Sequence, residues 1–255
     1  VYWVDMPDFA ESLDSIQLQR GVGSSLYGVD TFGGSINLIT KTGTGERYEV
    51  YGFGGSFNTW KTGITGEMPL TDDDRYHLSF RLSRLTSDGY RENSGVDLWA
   101  AYLALARYGE RSVTRFVFYT GNEKTHAAWE ASPESILREN HRHNPITYDY
   151  TIDDFTQPHA ELHHIIQFSD QLSWKNTLFF IHGRGYYEQY KDGRDLWEYG
   201  LWADPATAPE SDIIRQKWVK KNQYGLVSEL SFKHATGELT AGGYFSSYNS
   251  HHWGE

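Results

Sequence analysis

Segments of roughly ten residues, in which apolar and polar side chains alternate, recur along the chain from residue 46 onward. The clearest is YHLSFRLS, residues 76–83. One face of this segment carries the apolar side chains Tyr76, Leu78, Phe80 and Leu82. The other face carries His77, Ser79, Arg81 and Ser83. Because strict alternation is typical of β-strands, the pattern predicts an all-β fold.

Later segments repeat this alternation. In HAELHHIIQFS the polar face carries Glu161 and His163, and in KKNQYGLVSELSFK it carries Lys221 and Glu229. Less regular strand candidates lie at 47–57, 59–68, 96–108, 112–124, 172–187 and 238–248. Only ESILREN, residues 134–140, has a helical pattern, so we expect almost no helix elsewhere.

The connections between these strands alternate in length. Short polar turns are predicted at 69–74, 109–112, 169–171 and 234–238, and longer links at 86–95, about 125–157 and about 189–216. Short turns at one end and long loops at the other indicate an antiparallel up-and-down β-barrel of the outer-membrane type. A hydrated or plugged lumen accommodates the charged face. A soluble sheet with one solvated face explains the alternation equally well, but it leaves the loop asymmetry unexplained.

Composition narrows the class further. The net charge of −11 argues against a nucleic-acid partner, and the absence of cysteine excludes disulfides and thiolate metal sites. The chain has 18 Tyr and 9 Trp, which is typical of proteins that bind flat ligands or that lie at an interface. The opening residues, VYWVDMPDFAESLDS, have neither a basic start nor an apolar core, so we do not expect them to form a signal peptide. The longest apolar run, LWAAYLALA, is half the length that a membrane-spanning helix needs.

Residues 20–37, RGVGSSLYGVDTFGGSIN, contain five glycines and lead into an alternating run. Their spacing matches neither a phosphate-binding loop nor a dinucleotide fingerprint. A flexible linker would lack the aromatic residues and the following strand. The stretch therefore predicts a compact element of tight turns and strand, in which glycine permits positive φ.

Residues 15–41, SIQLQRGVGSSLYGVDTFGGSINLITK, resemble the end of the plug domain of TonB-dependent outer-membrane receptors. That family shows I-E-V-x-R-G-P, then small residues, then Y-G-x-x-x-x-G-G-x-I-N-I-x-T-K. The matching positions are Ile16, Arg20, Gly21, Tyr27, Gly28, Gly33, Gly34, Ile36, Asn37, Thr40 and Lys41. Gln17 stands in place of the usual Glu, and Val22 in place of the usual Pro.

The resemblance implies contacts between plug and barrel. Its plug-motif and contact residues here are Gln17, Arg20, Gly21, Gly28, Gly33, Gly34 and Asn37. Arg20 is expected to pair with carboxylates of the barrel wall, and inward-facing Glu161 and Glu229 are the candidates. Gln17 can offer only neutral hydrogen bonds.

The resemblance also implies the domain organisation. Residues 1–43 would form the C-terminal part of a mixed α/β plug domain, and residues 44–255 the N-terminal part of a transmembrane β-barrel. Family members close a barrel of 22 strands around the plug. Residues 44–255 would supply about nine strands of such a barrel, so we expect the chain to be a fragment.

The implied function is active import of a scarce, bulky ligand, most often a ferric siderophore, across the outer membrane of a Gram-negative-type bacterium. Its partners would be TonB with the inner-membrane energising complex, an iron chelate and the lipid bilayer. The TonB-gripped segment is not expected within this chain. No catalytic constellation and no resident cofactor or metal site are predicted, so the chain is interpreted as a receptor and not as an enzyme.

The ligand-binding candidates are aromatic or histidine residues of the motif and long loops: Tyr27, Trp129, His141, His143, Tyr148 and Trp197. The motif His141-x-His143 leaves a haem receptor open. The pattern YG-x-D-x-x-GG, from Tyr27 to Gly34, leaves a cobalamin receptor open. A plug-less porin-like or structural barrel is the alternative from another class.

Overall fold

The computed structural model describes residues 6–21, 33–43 and 45–255, which form two separate antiparallel sheets. The small sheet pairs β1 (Leu13–Arg20) with β2 (Gly34–Thr40). The large sheet contains β3 (Arg47–Gly55), β4 (Thr59–Pro69), β5 (Tyr76–Ser87), β6 (Val96–Tyr108), β7 (Ser112–His126), β8 (Ile152–Thr156), β9 (His159–Gln167), β10 (Leu172–Asp195), β11 (Glu210–His234) and β12 (Gly237–Gly254). Short helices cover Phe9–Ser12 and Leu196–Tyr199, both 3-10, and Glu134–Glu139, the helix α1.

The large sheet is a meander in which consecutive strands are neighbours. β8 and β9 share one place, because both pair with β7 on one side and with β10 on the other. Gln157 and Pro158 separate them, and proline cannot donate a hydrogen bond to the ladder. The described sheet therefore has nine strand positions, as predicted, and α1 coincides with the helical segment predicted at 134–140.

The alternation in β5 separates its two faces as predicted. His77, Ser79, Arg81 and Ser83 are buried. The intervening apolar side chains, including Tyr76 and Leu82, are partly or largely exposed. The buried face contacts the N-terminal segment, whereas large apolar side chains remain exposed on the other face of the sheet. The inside of this sheet is therefore polar and the outside is apolar, as in a barrel wall that faces lipid.

Aromatic side chains border the apolar outer face at both ends. Trp60, Trp99, Tyr186, Trp218 and Trp253 lie towards the long loops, and Tyr48, Tyr76, Phe168 and Trp174 lie towards the short turns. On β10, ten residues separate Trp174 from Arg184. At about 3.3 Å per residue and a tilt of about 40°, this segment spans about 25 Å, the height of the lipid-facing band of outer-membrane barrels.

The link predicted at 189–216 is shorter in the structure, which corrects that boundary. β10 continues to Asp195 and β11 begins at Glu210, so the loop covers only residues 196–209. Polar cross-strand contacts hold this extension together, including Arg215 to Gln189 at 2.7 Å and Gln216 to Glu188 at 2.6 Å. Outside the lipid band, such pairs stabilise a strand that has no apolar alternation.

The small sheet ends at Thr40 and the large sheet begins at Arg47. The predicted domain boundary, between residues 43 and 44, lies in this interval. The division into plug and barrel domains stays a prediction about the wider protein. Within the described part of the chain, no helix is long and apolar enough to cross a membrane.

The side-chain orientation in β5 predicts how the sheet responds to a charge in the middle of its outer face. In the full-length protein, we expect Phe80→Arg to lower the free energy of unfolding in lipid vesicles by about 2–4 kcal/mol. Thr86→Arg, on the same face at the aromatic border, should cost about 0–1 kcal/mol. Denaturant titration would compare the two variants, and equal losses would contradict a lipid-facing strand.

Candidate functional site

A buried ion pair joins the N-terminal segment to the inside of the wall. The Asp8 carboxylate accepts hydrogen bonds from Arg81 Nη1 at 2.8 Å and from Ser83 Oγ at 2.6 Å. Arg81 Nε donates to Ser12 Oγ at 2.9 Å. The Arg81 side chain is only 5% exposed, so these partners, and not water, stabilise its charge.

Lys61 of β4 extends this contact. Its Nζ lies 2.7 Å from Asp8 Oδ1 and 3.0 Å from Glu11 Oε1. The N-terminal segment thus provides the acids and the wall provides the cations. Sequence reasoning missed Asp8, Glu11 and Lys61 as functional residues. The signal that could have located them was the inward-facing charge of Arg81, which requires an acidic partner on the opposing segment.

A second contact holds the connection from β2 to β3 against the wall. Arg115 Nη2 donates to the Thr40 carbonyl at 3.0 Å and also to the Thr40 hydroxyl. Tyr102 Oη donates to the Lys41 carbonyl at 2.7 Å, and the Gly43 backbone N–H donates to Ser79 Oγ at 3.1 Å. The chain is therefore bound to the wall on both sides of the small sheet.

A cavity of about 650 Å³ lies between the small sheet and the wall strands β7, β9 and β10. Its wall side carries Tyr119, whose hydroxyl lies 2.9 Å from His159 Nδ1 and 3.3 Å from Glu161 Oε1. The Phe9 ring lies 4.6 Å from the Tyr119 ring. Ile36 and Leu38 line the opposite side. The space between the small sheet and the wall is thus partly polar, and it is large enough to hold water.

The residues of the predicted plug motif lie mainly within the small sheet. Asn37 Nδ2 donates to Gln17 Oε1 at 3.0 Å across the hairpin, so within the described chain Gln17 pairs inside the plug element. Gly21, with φ 80°, and Gly34, with φ 149°, adopt backbone conformations that favour glycine. A Cβ at Gly34 would also lie 2.7 Å from the Gln19 carbonyl oxygen. Next to the last paired residues of the two strands, the Gly33 carbonyl accepts from the Gly21 backbone N–H.

Neither Glu161 nor Glu229 forms the ion pair that was expected with Arg20. Arg20 ends β1 opposite Gly34 and is exposed. Glu161 pairs with His163 at 3.0 Å and Glu229 with Lys175 at 2.8 Å, so nearer groups satisfy both carboxylates. The role of Arg20 stays a prediction. Tyr27 and Gly28 lie outside the described residues.

At the opposite end of the sheet, Arg91 joins the loop after β5 to the long loop after β7. Its guanidinium donates to the carbonyls of Ala128 at 2.5 Å, Glu130 at 2.9 Å and His143 at 3.2 Å. The buried Asn144 side chain donates to the Glu92 carbonyl at 2.9 Å. These bonds to backbone atoms fix the conformation of both loops, so the surface that the loops form at this end of the sheet is preorganised.

Two of the predicted aromatic ligand candidates contact the β10–β11 hairpin. Tyr148 donates to Glu188 at 3.1 Å, and its ring lies 5.8 Å from that of Tyr190. Loss of hydration, followed by this hydrogen bond, raises the pKa of Tyr148 above its ordinary value, so the hydroxyl stays a donor. Trp129 is 53% exposed and its ring meets Tyr187 edge-on at 6.0 Å.

The other candidates occupy different environments. His143 is half-buried, and its Nδ1 lies 2.9 Å from Ser132 Oγ, whereas His141 is exposed. Trp197 is exposed in the 3-10 helix at the hairpin tip, where its backbone N–H donates to the Asp195 carboxylate. Within the described residues, no group of three or more His, Cys, Asp or Glu side chains could hold a metal ion.

Comparison with known proteins agrees with this architecture. The chain is 28% identical over 91 residues, 35% of its length, to the metal-pseudopaline receptor CntO of Pseudomonas aeruginosa. It is 22% identical over 249 residues, 89% of its length, to the ferrichrome outer membrane transporter/phage receptor of Escherichia coli K12. The closed form of the ferric-catecholate import receptor Fiu from E. coli K12 superposes with a TM-score of 0.73 over 94% of the chain, at 14% identity.

These likenesses confirm the resemblance to TonB-dependent receptors and their plug-and-barrel fold. They also agree with the predicted outer-membrane location. No known protein-family profile matches the chain. The chain spans 33% of the ferrichrome transporter, 37% of Fiu and 13% of CntO.

The Asp8–Arg81 contact predicts a loss of plug anchoring when one partner is removed. In the full-length protein, we expect Asp8→Ala to destabilise the folded state by about 3–5 kcal/mol, because Arg81 would stay buried without its partner. The double variant Asp8→Ala/Arg81→Met should recover part of this loss. Denaturant unfolding and the uptake of a bulky antibiotic through the lumen would measure the effect.

Arg84→Gln is the matched control, because Arg84 pairs with Asp97 on the exposed face of the same strand. This control should leave the antibiotic permeability unchanged, since an exposed pair contributes little. Equal permeability of the Asp8→Ala and Arg84→Gln receptors would contradict an anchoring role for the buried pair.

Proposed function

We propose that this chain belongs to a receptor that imports a ferric siderophore across the outer membrane in a TonB-dependent manner. The observation that carries the proposal is the plug-like segment fastened inside the wall by Asp8, Arg81 and Lys61. A segment that blocks the lumen must be moved by another protein before a ligand can pass. A wall with an apolar outer face and aromatic borders is suited to the bilayer in which such a receptor works.

The polar character of the contact suits this mechanism. The ligand binds from outside at the long-loop end, and TonB, energised by the inner-membrane complex, pulls on the plug from the other side. Ion pairs and hydrogen bonds beside a cavity of about 650 Å³ can exchange their protein partners for water as the plug moves. The chain's own contribution is therefore a wall that holds the plug and releases it without exposing a large apolar surface.

The proposed ligand is an iron chelate, with the iron as cargo and not as a resident cofactor. The relatives named above are receptors for ferrichrome, metal-pseudopaline and ferric catecholates. We assign Trp129 and Tyr148 to ligand contact, because both present aromatic surface at the preorganised long-loop end. His141, His143, Tyr27 and Trp197 stay weaker candidates. The same relatives, which are receptors and transporters, support a receptor role in place of an enzymatic one.

The alternatives have less support. The His143 ring is engaged with Ser132, so His141 and His143 do not form a free pair for haem iron. Cobalamin import rests only on a motif whose Tyr27 and Gly28 lie outside the described residues. A plug-less porin would have no use for the buried Asp8–Arg81 contact.

The test is uptake of radioactive iron by cells whose own siderophore receptors have been deleted and which carry the full-length receptor. Cells would receive iron as ferrichrome, a ferric catecholate, ferric citrate or haem. We expect uptake of at least one siderophore complex, and we expect it to stop when TonB is deleted. Uptake of haem alone, or uptake that persists without TonB, would contradict the proposal.

The exposed ring of Trp129 predicts a loss of affinity when it is truncated. We expect Trp129→Ala to weaken binding of the imported chelate about tenfold or more, as aromatic anchors of binding sites commonly do. Trp99→Ala is the matched control, because Trp99 lies on the outer face at the aromatic border. Equilibrium binding to the purified receptor would be measured, and equal affinities would remove Trp129 from the site.

A further inference from the structure

The β10–β11 hairpin sorts its charges between two faces where it continues beyond the lipid band. Ile181 of β10 is buried inside the wall, so every second residue after it also lies on the inner face. Over residues 187–191 and 212–217, the inner face carries Tyr187, Gln189, Lys191, Ile213, Arg215 and Lys217. The carboxylates of these two segments, Glu188 and Asp212, lie on the outer face, where Asp212 accepts from Tyr190. The inner face of the hairpin is therefore cationic, although the chain has a net charge of −11.

Arg215 and Lys217 have donors that no carboxylate of the described chain accepts. Lys217 is exposed, and its Nζ lies 5.5 Å from the centre of the Tyr187 ring. Arg215 Nη2 donates to Gln189 at 2.7 Å, whereas its Nε is buried and has no hydrogen-bond partner among the described residues. A guanidinium and an ammonium two residues apart on one face, each with donors to spare, are suited to an anionic ligand with several oxygen atoms.

Two aromatic rings lie beside these cations. The Tyr187 ring meets the Trp129 ring edge-on at 6.0 Å. Arg91 donates to the carbonyls of Ala128 and Glu130, the two neighbours of Trp129, at 2.5 Å and 2.9 Å. These bonds hold the backbone of Trp129 and leave its side chain 53% exposed beside Tyr187. Such a preorganised aromatic surface packs against flat rings of a ligand at a small cost in conformational entropy.

These four residues, Trp129, Tyr187, Arg215 and Lys217, form a mouth cluster at the long-loop end of the wall. Tyr187 is three residues beyond Arg184, which ends the lipid band on β10. At about 3.3 Å per residue and a tilt of about 40°, it lies about 8 Å beyond that band. The cluster is therefore on the inner side of the wall at the height where a ligand from outside arrives.

One carboxylate borders the mouth cluster on the inner face. Asp153 of β8 lies directly opposite Tyr187, on the side away from Lys217. Because neighbouring strands are about 4.8 Å apart, the backbones of Asp153 and Lys217 are about 10 Å apart, and no ion pair joins these two side chains. The charge of Asp153 repels an anionic ligand, whereas Arg215 and Lys217 attract it. Removal of these charges should therefore change the affinity in opposite directions.

We propose that the mouth cluster binds an anionic aromatic chelate, so that the imported ligand is a ferric catecholate. The inference rests on the proposed import of a ferric siderophore and names the chemical class of that siderophore. In a ferric catecholate, the negative charge of the catecholate oxygens exceeds the charge of iron(III), and the catechol rings are flat. A neutral hydroxamate chelate lacks the charge that Arg215 and Lys217 recognise, and ferric citrate lacks the rings that pack on Trp129 and Tyr187.

The test uses the full-length protein, purified in detergent, with a synthetic ferric tris-catecholate, ferrichrome and ferric citrate as probes. Equilibrium dialysis of each chelate, labelled with radioactive iron, would measure binding. We expect the catecholate to bind most tightly, and Arg215→Gln/Lys217→Gln to weaken its binding about tenfold or more, because charge-assisted hydrogen bonds are lost. Added salt should weaken catecholate binding to the unaltered protein more than to this variant.

Asp153→Asn should instead strengthen binding of the catecholate, about twofold or more, because it removes a repelling charge. A general loss of folding cannot produce this gain, so the variant tests the proposal even if the double variant does not fold. Unchanged or weaker binding by Asp153→Asn would contradict the proposed recognition of charge.

Arg184→Gln/Lys220→Gln is the matched control, since it removes the same charges from the outer face of the same hairpin. This control should bind the catecholate as the unaltered protein does. Equal losses in the two double variants, or tighter binding of ferrichrome or ferric citrate, would overturn the inference and leave siderophore import intact. Failure to bind any ferric siderophore would contradict the proposed function as well.

Discussion

A permanent cation on the inner face of a β-sheet needs a partner, and this requirement explains the architecture around Arg81. Alternation places Arg81 inside, between residues that face lipid, and the side chain cannot reach water through the apolar outer face. Asp8 and Ser12 supply the missing carboxylate and hydroxyl from the N-terminal segment. The charge therefore couples the two sheets, because neither the wall nor the plug segment satisfies its own buried polar groups alone.

The same two-residue period gives the sheet two unrelated surfaces. Inside, charged and hydroxyl side chains meet the plug segment, and outside, apolar side chains are bordered by aromatic rows about 25 Å apart. Sequential neighbours on β5 illustrate the separation, since buried Ser83 contacts Asp8 and exposed Arg84 contacts Asp97. A shift of one residue in register would exchange these surfaces, so the pairing of the strands is strongly specified.

The two-residue alternation of apolar and polar side chains, together with the polar turns between strands, explains why much of the fold could be predicted. The facing of His77 to Ser83, the nine strand positions and the helix at 134–140 all follow from local patterns that the structure confirms. The extended β10–β11 hairpin could not be predicted in this way, because polar cross-strand pairs leave no apolar period. The Asp8–Lys61 contact joins residues far apart in sequence, and neither residue carries a local signal of it. Glu161 and Glu229, the partners considered for Arg20, each have a nearer partner that the alternation alone could not predict.

The import proposed above requires a plug that stays closed and yet moves, and such a plug needs contacts that are specific but individually weak. A hydrogen bond exchanged for water contributes only about 0.5–1.5 kcal/mol net, although leaving its buried partner unpaired costs more. The contacts of Asp8, Glu11, Thr40 and Lys41 with the wall are of this polar kind and lie beside a partly polar cavity. Each contact can be lost in turn while water enters to replace it. An apolar interface of equal size would instead expose its whole surface on opening, so a polar interface gives the lower barrier to plug movement.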